Sequence, residues 1–316
     1  MLIKKVIVII IVFELFSAFI FAEDYGSIAD NIKEQVKGER APSTAAIYSY
    51  LLPGLGDVYL DNWGSGALKL GVSLSLLYWS VIYKQSSNPY TEANVPSVLY
   101  SKWNEICTYD IYQYAKKKYN NSGYSIPLEK KSFIELITAP FNPKYIFRPG
   151  VLFSMALAAG VSVLQVNSYE DRGQSYSEVK TIEIAGSIYN RGDGTILYET
   201  LWGGVSFGAG VGEEFLYRGV LQSEITNNTD PLTGLLCASG IFGMLHLSNP
   251  GRSNDYLYPV FATLAGSYFG YLYMKNDYQL SESIAAHFWW DFVVGTVWFI
   301  MDPKDNPIGA KITFAF

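Results

Sequence analysis

The sequence predicts an all-α membrane protein, a polytopic bundle of about seven or eight transmembrane helices joined by polar connecting loops. Three observations lead there. Only 16% of the 316 residues are charged and 49% are hydrophobic, against roughly 25% charged in an average soluble domain. Apolar runs close to the roughly 20 residues that cross a bilayer recur along the chain. Within them, Gly204, Gly208 and Gly212 repeat every fourth position, as do Ala262, Gly266 and Gly270, a spacing that lets helix backbones approach closely in lipid. The formal charge of -6, with no basic cluster beyond lysine pairs and a triplet, leaves no electrostatic footprint for nucleic acid. Membrane lipid is the expected surrounding.

At the start, Met1-Leu2-Ile3-Lys4-Lys5 precedes an apolar stretch interrupted by Glu14. Residues 1-22 therefore read as an export leader, cleaved or kept as an anchor helix. Residues 44-83 read as an apolar hairpin of two runs, 44-60 and 65-83. Pro53-Gly54 breaks the first run, and Trp63-Gly64-Ser65-Gly66 is the expected polar turn.

Residues 84-147 change to Tyr, Lys, Asn and Ser, with Trp103, Tyr109, Tyr112 and Tyr114 among the charges. They read as a solvated connecting region or a short helix at the headgroup level. A span at 148-166 and a second polar connection at 167-195 follow. The segments 197-225, 231-247, 257-274 and 281-301 then lie close together, joined by turns such as Thr226-Asn227-Asn228-Thr229-Asp230 and Asn249-Pro250-Gly251-Arg252-Ser253. Residues 302-316 are a tail. Cys107 and Cys237 fall in unlike surroundings, so no disulfide framework is expected.

An ionisable side chain within a bilayer costs on the order of 2.5-3.5 kcal/mol and usually faces a bundle interior or a cavity. Few are present in these runs. Glu213, Glu214 and Arg218 fall on 197-225, His246 on 231-247, and His287 with Asp291 on 281-301. On a helix, Glu214 and Arg218 share a face and can pair. Glu213 points about 100° away and is left for other work. Both histidines of the chain lie in this set. A carboxylate with two imidazoles, and an Asp one turn after the second, supplies a base for water and donors for an oxyanion.

The segments Glu213-Glu214-x-x-x-Arg218, Phe242-Gly243-Met244-Leu245-His246 and His287-Phe288-Trp289-Trp290-Asp291 resemble the EExxxR, FxxxH and HxxxN/D motifs of the CPBP intramembrane proteases. That family includes the type II CAAX prenyl endopeptidases and the bacteriocin-immunity proteins. The resemblance covers roughly 148-301 and implies a protease core there, acting on a peptide or protein near the membrane surface. It assigns Glu213 as the base, His246 as its assistant, and His287 with Asp291 to the oxyanion or a metal. Glu214 and Arg218 would hold their helix in place, and Phe242 would pack against His246.

Asp291 stands where many members carry Asn, and a carboxylate donates a hydrogen bond only when protonated. Two further roles follow for it. It orients His287, or it binds zinc or another divalent ion together with His246 and His287. A glutamate mechanism that requires no cofactor is favoured. The expected setting is a multi-pass protein of a bacterial cell or inner membrane. A different class also fits buried charges, namely an ion or proton transporter, and so does an inactive scaffold of the same family.

Overall fold

The structure, a computed structural model, describes residues 41-83, 95-119, 124-168, 174-184, 186-248, 257-306, 308 and 310-314. The leader or anchor at 1-22 and the turn at 249-253 lie outside the described residues.

Helices make up most of what is described. Among the described residues, three are long and apolar enough to cross a membrane: Trp63–Ile82, Pro149–Ser168 and Ser281–Met301. Pro231–Leu245 is apolar but shorter.

The hairpin is α1 (Pro42–Leu51), α2 (Leu55–Tyr59) and α3 (Trp63–Tyr83). Between α1 and α2 the chain turns at Pro53-Gly54, where Gly54 takes a φ of 103°. The second turn differs from the expectation, because Trp63-Gly64-Ser65-Gly66 opens α3 and the reversal falls just before it, where Asp61 takes a φ of 61°.

The polar stretch 84-147 holds α4 (Val95–Tyr119), a 25-residue helix, rather than a solvated connection. Its Tyr109, Ile111, Tyr112 and Ala115 are buried. An ion cluster joins it to the hairpin. Lys69 Nζ lies 2.9 Å from both carboxylate oxygens of Asp57 and 2.7 Å from Asp110 Oδ2. Asn104 donates to the carbonyl of Tyr50 at 2.8 Å.

Two short helices, α5 (Phe133–Ile137) and α6 (Pro143–Ile146), lead into α7 (Pro149–Ser168). A capping box starts α5, with Ser132 and Glu135 each satisfying the other's backbone N–H.

The second polar connection forms β1 (Val179–Ile184) and β2 (Ser187–Asn190), and the tail adds β3 (Lys311–Phe314). The antiparallel order is β2-β1-β3, with Ile182 opposite Tyr189 on one side and Ile312 on the other. This sheet is an addition to the helical bundle expected. Its apolar face covers Tyr198 and Phe299, whose rings stack at 3.9 Å. It thereby ties the start of α8 (Arg191–Gly208) to the end of α12 (Ser281–Met301).

Beyond α8 the chain continues without a break through a π-helix (Ala209–Gln222) into α9 (Ser223–Asn228). Asp230 then caps α10 (Pro231–Leu245), its carboxylate accepting from the N–H groups of Leu232 and Thr233 at 2.9 and 3.0 Å. A 3-10 turn from His246 to Ser248 follows, and α11 (Leu257–Lys275) precedes α12.

The first two turns of α12 are buried from Ser281 to Phe288. Small residues there, Ala285 and Ala286, admit α7, whose Ser154 hydroxyl donates to the carbonyl of Ala286 at 2.9 Å.

Candidate active site

The 14-residue π-helix carries the paired glutamates. Such i→i+5 winding is rare, and where it occurs it is often found at functional sites. As in any helix, consecutive side chains leave on different sides, so Glu213 and Glu214 part company. Glu214 turns inward and is fully buried, as is Arg218, whereas the Glu213 side chain keeps 18% exposure.

Gly210 lets the π-helix reach α12. A Cβ there would lie 2.8 Å from Phe288 N and 2.9 Å from its Cα, so no other residue fits without moving α12. That contact places His287, one residue earlier, between the two glutamates.

A buried layer lies beneath. Arg218 Nη1 stands 2.9 Å from Glu214 Oε1, the pairing that the four-residue spacing predicts. Arg218 Nη2 donates to the carbonyl of Gly266 at 2.7 Å, and the guanidinium lies 4.7 Å from the Phe242 ring centroid. Glu214 Oε1 also accepts from His287 Nδ1 at 2.8 Å. The residue that fixes the His287 ring at Nδ1 is therefore Glu214, whereas the sequence reading offers orienting His287 as one of two further roles for Asp291. Phe269 stacks on the same imidazole at 4.6 Å.

Above this layer, His287 Nε2 faces two part-exposed carboxylates. Glu213 Oε2 is 3.8 Å away and Asp291 Oδ2, one turn along α12, is 3.5 Å away. Trp202 holds the backbone beside Asp291, its indole N–H donating to the carbonyls of Asp291 and Phe292 at 3.0 and 3.2 Å.

His246 sits just past the end of α10. Its Nδ1 lies 2.7 Å from the carbonyl oxygen of Phe242, which can only accept, so in the neutral ring the acceptor nitrogen is Nε2. Phe242 links the imidazoles, its ring 4.5 Å from His246 and 5.7 Å from His287. The four predicted residues are thus assembled around Phe242 and the Glu214-Arg218 pair. His287 contacts both Glu213 and Asp291, and His246 is joined to it across a ring.

Two residues absent from the sequence reading enter from α4. Lys102 Nζ is 2.8 Å from Glu213 Oε1 and 3.0 Å from each carboxylate oxygen of Glu105. Burial, the largest effect, pushes the Glu105 carboxyl up to about 7 in spite of the adjacent ammonium. Nothing in the charged, aromatic pattern of 95-119 distinguishes a buried lysine from a solvated one.

No three His, Cys, Asp or Glu side chains among the described residues gather as ligands for a single ion. The donor set His246, His287 and Asp291 does not fit a metal in this arrangement.

A helical protein with membrane-length apolar helices and a cluster of Glu, His, Arg and Asp inside it belongs to the class of membrane proteins with a buried ionisable site. Residues 197-293 match the family model described as Rce1-like, type II CAAX prenyl endopeptidase. Over that segment the chain is similar to the CPBP-type intramembrane proteases, a likeness that points to a hydrolase acting on peptide bonds. All three motif segments fall inside the match, while Lys102 and Glu105 lie outside it. No curated protein matches the chain. No solved structure matches it either.

Proposed function

We propose that the protein is a multi-pass endopeptidase of a bacterial cell or inner membrane, with about seven or eight spans, that hydrolyses a peptide bond near the membrane surface. The observation carrying this reading is the position of His287 Nε2, 3.8 Å from Glu213 Oε2 and 3.5 Å from Asp291 Oδ2, on the part-exposed side of the cluster.

Glu213 Oε2 takes a proton from a water molecule as that oxygen bonds to the scissile carbonyl carbon. His246 Nε2 assists as a second acceptor. The oxyanion that forms lies toward His287. With Nδ1–H donated to Glu214, an Nε2–H exists in the imidazolium form, and that N–H stabilises the oxyanion. Asp291 steadies the imidazolium from one turn away. Collapse breaks the C–N bond while Glu213 returns its proton to the leaving amine.

The substrate is a peptide or protein segment presented from lipid. The test uses purified protein in vesicles with a panel of membrane peptides. A positioned acid or base contributes roughly 10²–10⁴-fold, and Glu213→Gln and His287→Ala should each lose about that much while melting like the wild type. A wild type that cleaves nothing but moves ions or protons across the vesicle would replace this reading with transport.

A further inference from the structure

We infer that Lys102 is a positioning residue for Glu213, an inference that rests on the protease reading above. The lysine comes from α4, outside the family-matched segment. Its ammonium lies 2.8 Å from Glu213 Oε1, which leaves Oε2 as the oxygen that faces His287. Of the two carboxylate oxygens, the one directed at the imidazole is thereby selected.

The lysine stem runs in a slot made for it. A Cβ on Gly208 would lie 3.3 Å from Lys102 Cγ, and one on Gly212 would lie 3.1 Å from Lys102 Cδ and collide with Glu105 Oε2. The repeat Gly204-Gly208-Gly212 therefore has a specific occupant over its last two positions. Gly204 meets nothing within 4 Å and takes no part. Glu105 holds the ammonium from behind with both oxygens at 3.0 Å, and Ser101 donates to Glu105 Oε1 at 3.3 Å. Lysine, serine and glutamate are thus one preassembled arm.

Other charged or titratable groups around Glu213 are His287 and Asp291 on α12, His246 after α10, and Glu214 on the same π-helix. His287 meets Oε2, and Glu214 is committed to Arg218 and His287.

The test joins a chemical and a kinetic readout. A zero-length carbodiimide activates a carboxyl, and an adjacent amine displaces the urea to form an amide. Wild-type protein in vesicles should yield a Lys102–Glu213 cross-linked peptide by mass spectrometry, absent from Glu213→Gln. Lys102→Met keeps the stem in the glycine slot, so it should fold. It should lower kcat by about 10²-fold with KM little changed, as expected for roughly 1 Å of misplacement, and Lys102→Arg should restore much of the loss.

A wild type that gives only the Lys102–Glu105 product, or a Lys102→Met variant with wild-type kcat, overturns the inference. If the Lys102–Glu213 product forms but no peptide is cleaved, the geometry stands and the protease reading fails.

Discussion

Gly210→Ala tests whether the contact between the π-helix and α12 sets the site. The added methyl would sit 2.8 Å from Phe288 N, 2.9 Å from Cα and 3.0 Å from Cβ. Two of the three atoms are backbone, so a rotamer change cannot relieve the overlap. Ordinary contact begins near 3.4 Å, and α12 must retreat by about 0.6 Å or more to restore it. Overpacking of this kind costs about 1–3 kcal/mol.

The retreat also carries His287 away from Glu214 Oε1, now at 2.8 Å, and from Glu213 Oε2, now at 3.8 Å. Because roughly 1 Å of misplacement costs about 10²-fold in rate, Gly210→Ala should lose ten- to a hundredfold in kcat while remaining folded. Gly204→Ala, with nothing within 4 Å of its Cβ, is the control and should cleave normally. Peptide cleavage in vesicles, paired with a thermal melt in detergent, reads both effects. A Gly210→Ala enzyme with wild-type kcat would refute the claim that this close approach positions His287.

Three further outcomes follow from buried charges. Arg218→Met leaves Glu214 without its guanidinium at a fully buried position, and breaking a buried pair from one side costs about 3–5 kcal/mol, which a lower melting temperature should register. Lys69→Met strands Asp57, 1% exposed at its side chain, and a similar loss of stability should be relieved by the double change Lys69→Met with Asp57→Leu. Lys116, whose Nζ donates to the carbonyl of Ile126 at 3.1 Å, has its pKa pushed down by burial to about 8, partly opposed by Glu224. The folded state then binds fewer protons than the unfolded one between about 8 and the usual lysine value. Stability from this group should rise with pH across that window. The difference in melting temperature between Lys116→Met and wild type should therefore shrink from pH 7 to pH 10; a constant difference would sink the assignment.

The paired carboxylates, both imidazoles and Asp291 were legible because charge is conspicuous in an apolar run. Their division was legible too, since four-residue spacing assigns Arg218 to Glu214. What spacing does not convey is the winding. A Glu and an Arg four apart meet on an α-helix and also on the π-helix seen at Ala209–Gln222, so hydropathy and pairing cannot separate the two. Lys102 and Glu105 were hidden for the opposite reason, because α4 bears charge along its whole length and only the tertiary contact of Lys102 with Glu213 singles out this pair.

The sheet was not anticipated, because 167-195 reads as a polar connection. Only Ile182-Glu183-Ile184 alternates in the manner of a half-buried strand, and in the fold Ile182 and Ile184 are buried along with Val179, with the register irregular between Val179 and Thr181. Its partner β3 comes from the tail more than a hundred residues later, a pairing that no local pattern announces. The hydrophobic pattern records only which residues avoid water, and α3, α7 and α12, which were legible as spans, are the elements for which that alone suffices.

Three departures from ordinary helix chemistry converge on the same 14 residues. The winding is π, two carboxylates and a guanidinium stand in an apolar run, and Glu214 Oε2 is buried without a hydrogen-bond partner among the described residues. Each is costly by itself, since an unsatisfied buried polar group loses about 1–3 kcal/mol, and more when charged. Folding alone does not account for their coincidence, because a Leu at 214 and at 218 would give a simpler packed helix. Local rules tend to fail together where function requires the failure. Here they fail around the one imidazole that Glu214 fixes from below and Glu213 and Asp291 face from above. The lock and the reactive face share His287, so a substitution in the buried layer should lower activity together with stability.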